Sequence, residues 1–267
     1  MLKSAKLYLG VKRTLFIGEI NEPVKSIQPA STITFSLDKP IKLIYGNDKK
    51  EIETRSFLLP PDKDIIINSN DSPVAVCMLD PLGSDYAALS TLMRKNDEPV
   101  KFDIENESSY ISEFKKFYYE ELTLEKVDQY FSEIFSGHIE HIHKIDPRVV
   151  KVIELIQLHV EENVSTEYFA NEIGVSSPRL VQLFREQVGI PIRRYRLWHR
   201  LFCATRKFGI TKSLSTGAHA AGFSDAAHFN RTFKRMMGMA PSKWLSQPNG
   251  IKIYSSSNSV RECLNKF

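Results

Sequence analysis

At 267 residues, 42% apolar and 25% charged, the chain has the composition of a soluble globular protein and the length of one large domain or two ordinary ones. Three distant cysteines, Cys77, Cys203 and Cys263, with no CxxC pair, argue against a disulfide framework and for a reducing cytoplasm. No stretch reaches the roughly 18 apolar residues of a membrane span, and Met1–Leu7 lacks the apolar run of a signal peptide. A cytoplasmic chain without a membrane partner is expected.

The net charge of +4 is unevenly spread. Residues 1–145 carry 18 Lys+Arg against 23 Asp+Glu, whereas residues 146–247 carry 15 against 8. An acidic half followed by a basic half predicts two domains, the second with a polyanionic partner.

From Lys6 to Pro81 the texture is short apolar or alternating runs: Leu7–Leu9, Thr14–Ile20, Ser31–Leu37, Ile41–Tyr45, Ile52–Leu59, Asp64–Asn68 and Val74–Leu79. Turn residues such as Asp38-Lys39-Pro40 and Pro60-Pro61-Asp62 separate them, so an antiparallel sandwich or small barrel is predicted. Its interior is a candidate effector pocket, with Lys42, Tyr45, Arg55 and Cys77 facing inward or outward according to strand register. Residues 1–137 contain no histidine, which leaves a metal centre there without its usual ligands and disfavours an enzyme domain fused to a binding module. No cofactor and no metal are expected.

Ile111, Phe114, Phe117, Tyr118 and Leu122, and then Leu124, Val127, Phe131, Ile134 and Phe135, keep helical spacing with Thr123 as a cap between them. These aromatic-rich helices pack on the barrel or on a second subunit. Gly137–Pro147 reads as a linker; His138, His141, His143 and Asp146 invite a metal reading that no Cys or second cluster supports.

The second half repeats one plan. Val149, Val152, Ile153, Ile156 and Val160 form the apolar stripe of a first helix, and Ser165 caps the next. Gly174 ends that helix, Ser176 or Ser177 caps a third, and Leu180, Leu183, Phe184 and Val188 are its buried stripe up to Gly189. About fifty residues later Gly222 is the stop, Ser224 or Asp225 the cap, and Phe229, Phe233, Met236 and Met237 the stripe. An arginine-rich helix over Pro191–Phe208 joins the two units. Its length, about 27 Å at ~1.5 Å per residue, approaches the ~34 Å between successive major-groove faces of B-DNA. Gly217 is expected to cost the helix before Gly222 about 1 kcal/mol relative to Ala. After Trp244 the chain turns polar, and residues 248–267 are expected to be a peripheral tail.

Two resemblances follow from these residues. Ile33–Tyr45, Phe57–Asp62 and Cys77–Pro81 resemble the cupin-type small barrel that heads many one-component regulators. Residues 147–245 resemble the DNA-binding domain of the AraC/XylS family of transcription regulators. The match rests on Ala221-Gly222-Phe223-Ser224-Asp225, His228-Phe229, Arg231, Phe233-Lys234-Arg235, Gly238 and Pro241-Ser242-Lys243-Trp244, with Ala170, Gly174, Leu180, Leu183-Phe184, Gly189, Pro191 and Tyr195 upstream. Thr216, Gly217 and His219 depart from the aliphatic residues usual there.

The resemblance implies an α+β chain: an all-β cupin-like sensor with following helices (1–136), a linker (137–146) and an all-α double helix-turn-helix domain (147–247). It implies that Arg179, Val181, Gln182, Ala227, His228 and Arg231 face bases, and that Ser177, Arg185, Asn230 and Lys234 hold phosphates. His228 has a structural hydrogen-bonding role as its alternative. The implied partners are double-stranded promoter DNA, a small-molecule effector, RNA polymerase, and a second copy through residues 108–136. A ligand-independent architectural DNA binder is the rival reading.

Overall fold

The computed structural model describes residues 5–10, 12–20, 22–81, 84–136, 145–211, 213–238, 240–242 and 250–255. The N-terminal part is built on two sheets. Strands β1 (Ala5–Leu9), β2 (Thr14–Gly18), β4 (Thr32–Ser36), β7 (Ser56–Leu59), β9 (Val74–Met78), β10 (Met93–Asp97) and β11 (Val100–Ile104) enter an eight-stranded sheet, and β3 (Val24–Ile27), β5 (Ile41–Tyr45), β6 (Lys50–Thr54) and β8 (Asp64–Asn68) form a four-stranded one. The large sheet runs β10-β11-β7-β4-β9-β2-β1 and is completed by β12 (Ile251–Ser255) from the far end of the chain. The small sheet runs β3-β8-β5-β6.

The large sheet is covered on both faces, which is why its inner strands are buried end to end rather than in alternation. Parity sorts the side chains. Tyr8, Leu15, Ile17, Ile33, Phe35, Leu58, Ala75 and Cys77 face helices α1 (Asp85–Leu92), α2 (Glu107–Tyr119) and α3 (Leu124–Ser136). Their strand neighbours Leu7, Leu9, Phe16, Phe57, Leu59, Val74 and Val76 lie on the other face, which the small sheet and Phe202 of the helical half cover between them. Phe114 sits centrally in the helix layer, with ring centroids 4.9 Å from Phe35 and 5.7 Å from Phe117. The aromatic stripes of α2 and α3 therefore pack on the chain's own sheet.

Three features differ from the sequence expectation. The run Ile52–Leu59 is two strands, because the chain turns at Arg55 and passes from the small sheet (β6) to the large one (β7). β3, α1, β10 and β11 are additional elements that periodicity did not isolate. Residues 251–255, expected in a peripheral tail, form β12 and pair in parallel with β1, Ala5 opposite Ile251 through Leu9 opposite Ser255.

Between the linker and β12 the described elements are helices: α4 (Pro147–Leu158), α5 (Thr166–Glu172), α6 (Ser177–Val188), α7 (Ile192–Thr211), α8 (Leu214–Ala220) and α9 (Ala226–Met237). This part has two small cores. Val149, Val152, Phe169, Leu180 and Phe184 anchor the first; Leu201, Ala218, Phe223, Phe229 and Phe233 anchor the second. Trp198 on α7 packs against both. Gly217 is buried, and a Cβ there would lie 2.6 Å from the Ala204 carbonyl oxygen. Its propensity cost is thus the condition for α8 to lie close on α7.

Candidate nucleic-acid interface

Helix α6 starts after Ser176, carries Pro178 in its first turn, and ends at Gly189 with φ +81°. Helix α9 starts at Asp225, whose carboxylate accepts the His228 amide at 2.6 Å, and ends at Gly238 with φ +79°. Of the two caps offered by the sequence at each start, Asp225 is the one used at α9 and Ser176 holds the position at α6. Each helix buries its apolar stripe. Arg179, Val181, Gln182 and Arg185 of α6, and Ala227, Asn230, Arg231 and Lys234 of α9, are exposed; Ser177 and His228 are half-buried.

The exposed residues are not all equally free. Gln182 Nε2 donates to Glu186 at 2.8 Å. The imidazole Nδ1 of His228 lies 3.3 Å from the Ser224 hydroxyl, and its ring packs edge-on against Phe223 at 5.3 Å. His228 is thus partly committed to the turn that starts α9. Backbone hydrogen bonding from His228 and the Ser224 hydroxyl hold the Asp225 carboxyl below its ordinary range.

The four effector-pocket residues do not converge. Tyr45 is buried in the layer between the sheets and donates to Asp97 at 2.9 Å. Cys77 is buried on the opposite face of the large sheet, where desolvation raises its thiol pKa. Lys42 pairs with Glu51 at 2.7 Å. Arg55 lines an open polar cleft of about 890 Å³ with Arg94, Lys95, Asp103 and Glu107. Of the linker residues, Asp146 is tied up with Arg148 at 2.6 Å as the cap of α4, its pKa lowered to about 2 by those hydrogen bonds; His138, His141 and His143 lie outside the described residues.

A second, apolar cavity lies where the two halves meet. Leu9, Phe16 and Met78 of the large sheet face Phe202 of α7 and Phe233 and Met237 of α9 across a space of about 30 Å³, room for about one water. Arg194 of α7 reaches Asp62 in an ion pair, and the end of α9 packs on β3, with Gly238 against Val24.

Two basic helix-turn-helix units on one connecting helix are what the comparisons with known proteins recognise. Residues 169–247 match the family described as "Helix-turn-helix domain". The chain is 28% identical over 130 residues to the arabinose operon regulatory protein of Escherichia coli (strain K12), covering 48% of this chain and 44% of that protein. It is 30% identical over 122 residues to the transcriptional activator RhrA of Rhizobium meliloti (strain 1021), covering 42% of this chain and 39% of that one. The C-terminal domain is an AraC-type domain.

The chain spans less than half the length of these curated relatives. Its overall fold is that of ToxT from Vibrio cholerae O395, with a TM-score of 0.57 at 16% identity over 88% of this chain and 97% of ToxT. The α+β architecture, β-rich first and helical second, is shared.

Within the AraC-type domain, two of the arginines on α7 have a role that sequence reading, which weighed phosphates against solvent, did not foresee. Arg196 donates to the Val164 carbonyl at 2.6 Å, and Arg200 donates to the Val160 and Glu162 carbonyls at 2.9 and 2.8 Å. They satisfy the backbone between α4 and α5, and burial lowers both their pKa values. Arg193 stays exposed. Among the described residues no helix is long and apolar enough to cross a membrane.

Proposed function

We propose that the chain is a sequence-specific DNA-binding transcription regulator that reads two successive major-groove segments with α6 and α9. The observation that carries this is the pair of capped helices, each with its apolar stripe buried and its long polar side chains exposed, joined by the 20-residue α7, about 30 Å long at ~1.5 Å per residue. Arg179 and Arg231 are the side chains suited to guanine edges, Gln182 to adenine, and Val181 and Ala227 to thymine methyls. His228 contributes through the edge its Ser224 contact leaves free. Ser177, Arg185, Asn230 and Lys234 hold phosphates.

The N-terminal half acts as the sensor in this reading. ToxT has been solved bound to an unsaturated fatty acid, which supports a small apolar or amphipathic effector here. The seam cavity of about 30 Å³ is far too small for such a molecule as it stands, so binding there separates the domains. Homodimerisation, which would use the outer faces of α2 and α3, and contact with RNA polymerase belong to the same proposal.

Footprinting of the purified protein on upstream fragments, beside an Arg231→Ala variant, tests it. Two protected stretches about one helical turn apart, of which the variant loses the one under α9, are the expected result. Diffuse, salt-sensitive protection shared by both proteins would favour the architectural binder instead.

A further inference from the structure

β12 follows the AraC-type domain in the chain, yet it belongs to the sensor. Its five residues extend the large sheet beyond β1, and the β1–β12 pair is parallel whereas the other pairs of that sheet among the described residues are antiparallel. Both faces are fitted. On one, Ile251 and Ile253 join the core between the sheets. On the other, Tyr254 stacks on Tyr8 at 4.5 Å with 11° between the rings, and Lys252 pairs with Glu121 in the link between α2 and α3. Ile253 also meets α7. A Cβ on Gly209 would lie 3.1 Å from its Cγ2, so the strand lies close against that helix just before the second helix-turn-helix unit begins.

We propose that the β1 edge is a strand-accepting surface whose occupant is this chain's own residues 251–255, and that β12 acts as a releasable strap fixing the second recognition unit to the sensor. The chain leaves the sensor after α3, builds both DNA-reading units, and returns to the strand with which it began. β12 thereby touches the end of α7, the helix from which α8 and α9 follow. Release of β12 from β1 would also withdraw Ile253 from Gly209 and free the end of α7 from the sheet edge. Short edge strands with partly exposed side chains are the segments that open most readily, and pairing of one extended segment with a free sheet edge is a common mode of recognition. The strap makes the sheet edge, and not only the seam, part of the coupling between sensor and DNA.

The test uses three forms of the chain. The first ends at Gly250. The second carries Ala5→Cys and Ile251→Cys in a Cys263→Ser background; opposed Cα atoms of neighbouring strands lie within disulfide range. The third is the unaltered protein. In the shortened chain the β1 amides that face β12 are expected to exchange hydrogen about tenfold faster or more, and an added peptide of residues 250–255 restores their protection. The cysteine pair is expected to cross-link within one chain on oxidation, and the cross-linked protein to keep both footprints while the shortened one loses the footprint under α9 first. Unchanged β1 exchange on shortening, or cross-links formed only between chains, would overturn the strap. The exchange and cross-linking results do not depend on DNA, so they stand apart from the fate of the proposed regulator.

Discussion

Gly217 shows how one residue can be misjudged from local propensity. In an isolated helix, alanine there is worth about 1 kcal/mol. Here the added Cβ would strike the Ala204 carbonyl oxygen, which belongs to helix backbone and cannot step aside. Gly217→Ala is therefore expected to destabilise the protein by about 1–3 kcal/mol, the usual cost of overpacking, seen as a lower midpoint in thermal or urea unfolding. His199 is a second residue whose role is invisible locally. It is 6% exposed, beside Cys203, and desolvation with a lesser contribution from Arg206 lowers its pKa from 6.5 to about 4. Between those values the unfolded chain binds a proton that the folded chain refuses. Stability from this residue is thus complete above about pH 6.5 and falls as the pH drops towards 4. Urea midpoints measured across that window should decline with acidity, and His199→Gln should flatten that part of the curve.

At the scale of elements, period-2 and period-3.6 patterns did most of the work, and their failures have a common cause. Ile52–Leu59 is one apolar-containing run in the sequence, but the turn at Arg55 sends its halves to different sheets. Nothing in alternation reports a change of sheet. β10 is exposed and sets Arg94, Lys95, Asn96 and Asp97 beside a single apolar residue, so it lacks a hydrophobic signature, whereas Val100, Phe102 and Ile104 of β11 do alternate and the strand reading simply stopped short of them. α2 and α3 were legible because a helix covering a sheet must carry an aromatic or aliphatic stripe. Phe114, at 1% exposure between Phe35 and Phe131, is the residue that joins these helices to the sheet. Phe114→Ala should cost about 3–5 kcal/mol, and its urea midpoint should fall further than that of any substitution on the polar face of α3.

For the whole molecule, the charge asymmetry anticipated two parts but not how they close on one another. Phe202, Phe233 and Met237 read as internal residues of a helical domain, and Leu9 and Phe16 as internal residues of a sheet; each set has that role and is also one wall of the seam. The effector candidates are dispersed for the complementary reason. Tyr45 and Cys77 each looked suited to a barrel interior, but they sit on opposite faces of the large sheet and cannot share a ligand. The ion pair of Arg194 with Asp62 and the β12–β1 ladder add polar ties across the same boundary. The footprint and strap experiments therefore probe a single mechanical unit, in which a change at the sheet edge reaches the end of α7.

The sequence by itself determined helices α6 and α9, the pairs of residues from which their caps are drawn, their exposed faces and the strand-rich class of the first half. All of these depend on residues within a few positions of one another, through hydrogen-bonding side chains, glycine φ values and periodic burial. Only the tertiary structure decided which of the offered caps are used, which arginines of α7 satisfy carbonyls, which parity of each strand meets which layer, and that residues 251–255 belong to the large sheet. Those outcomes depend on contacts between segments as much as 246 residues apart, as Ala5 and Ile251 are, and no local pattern encodes the partner of an edge.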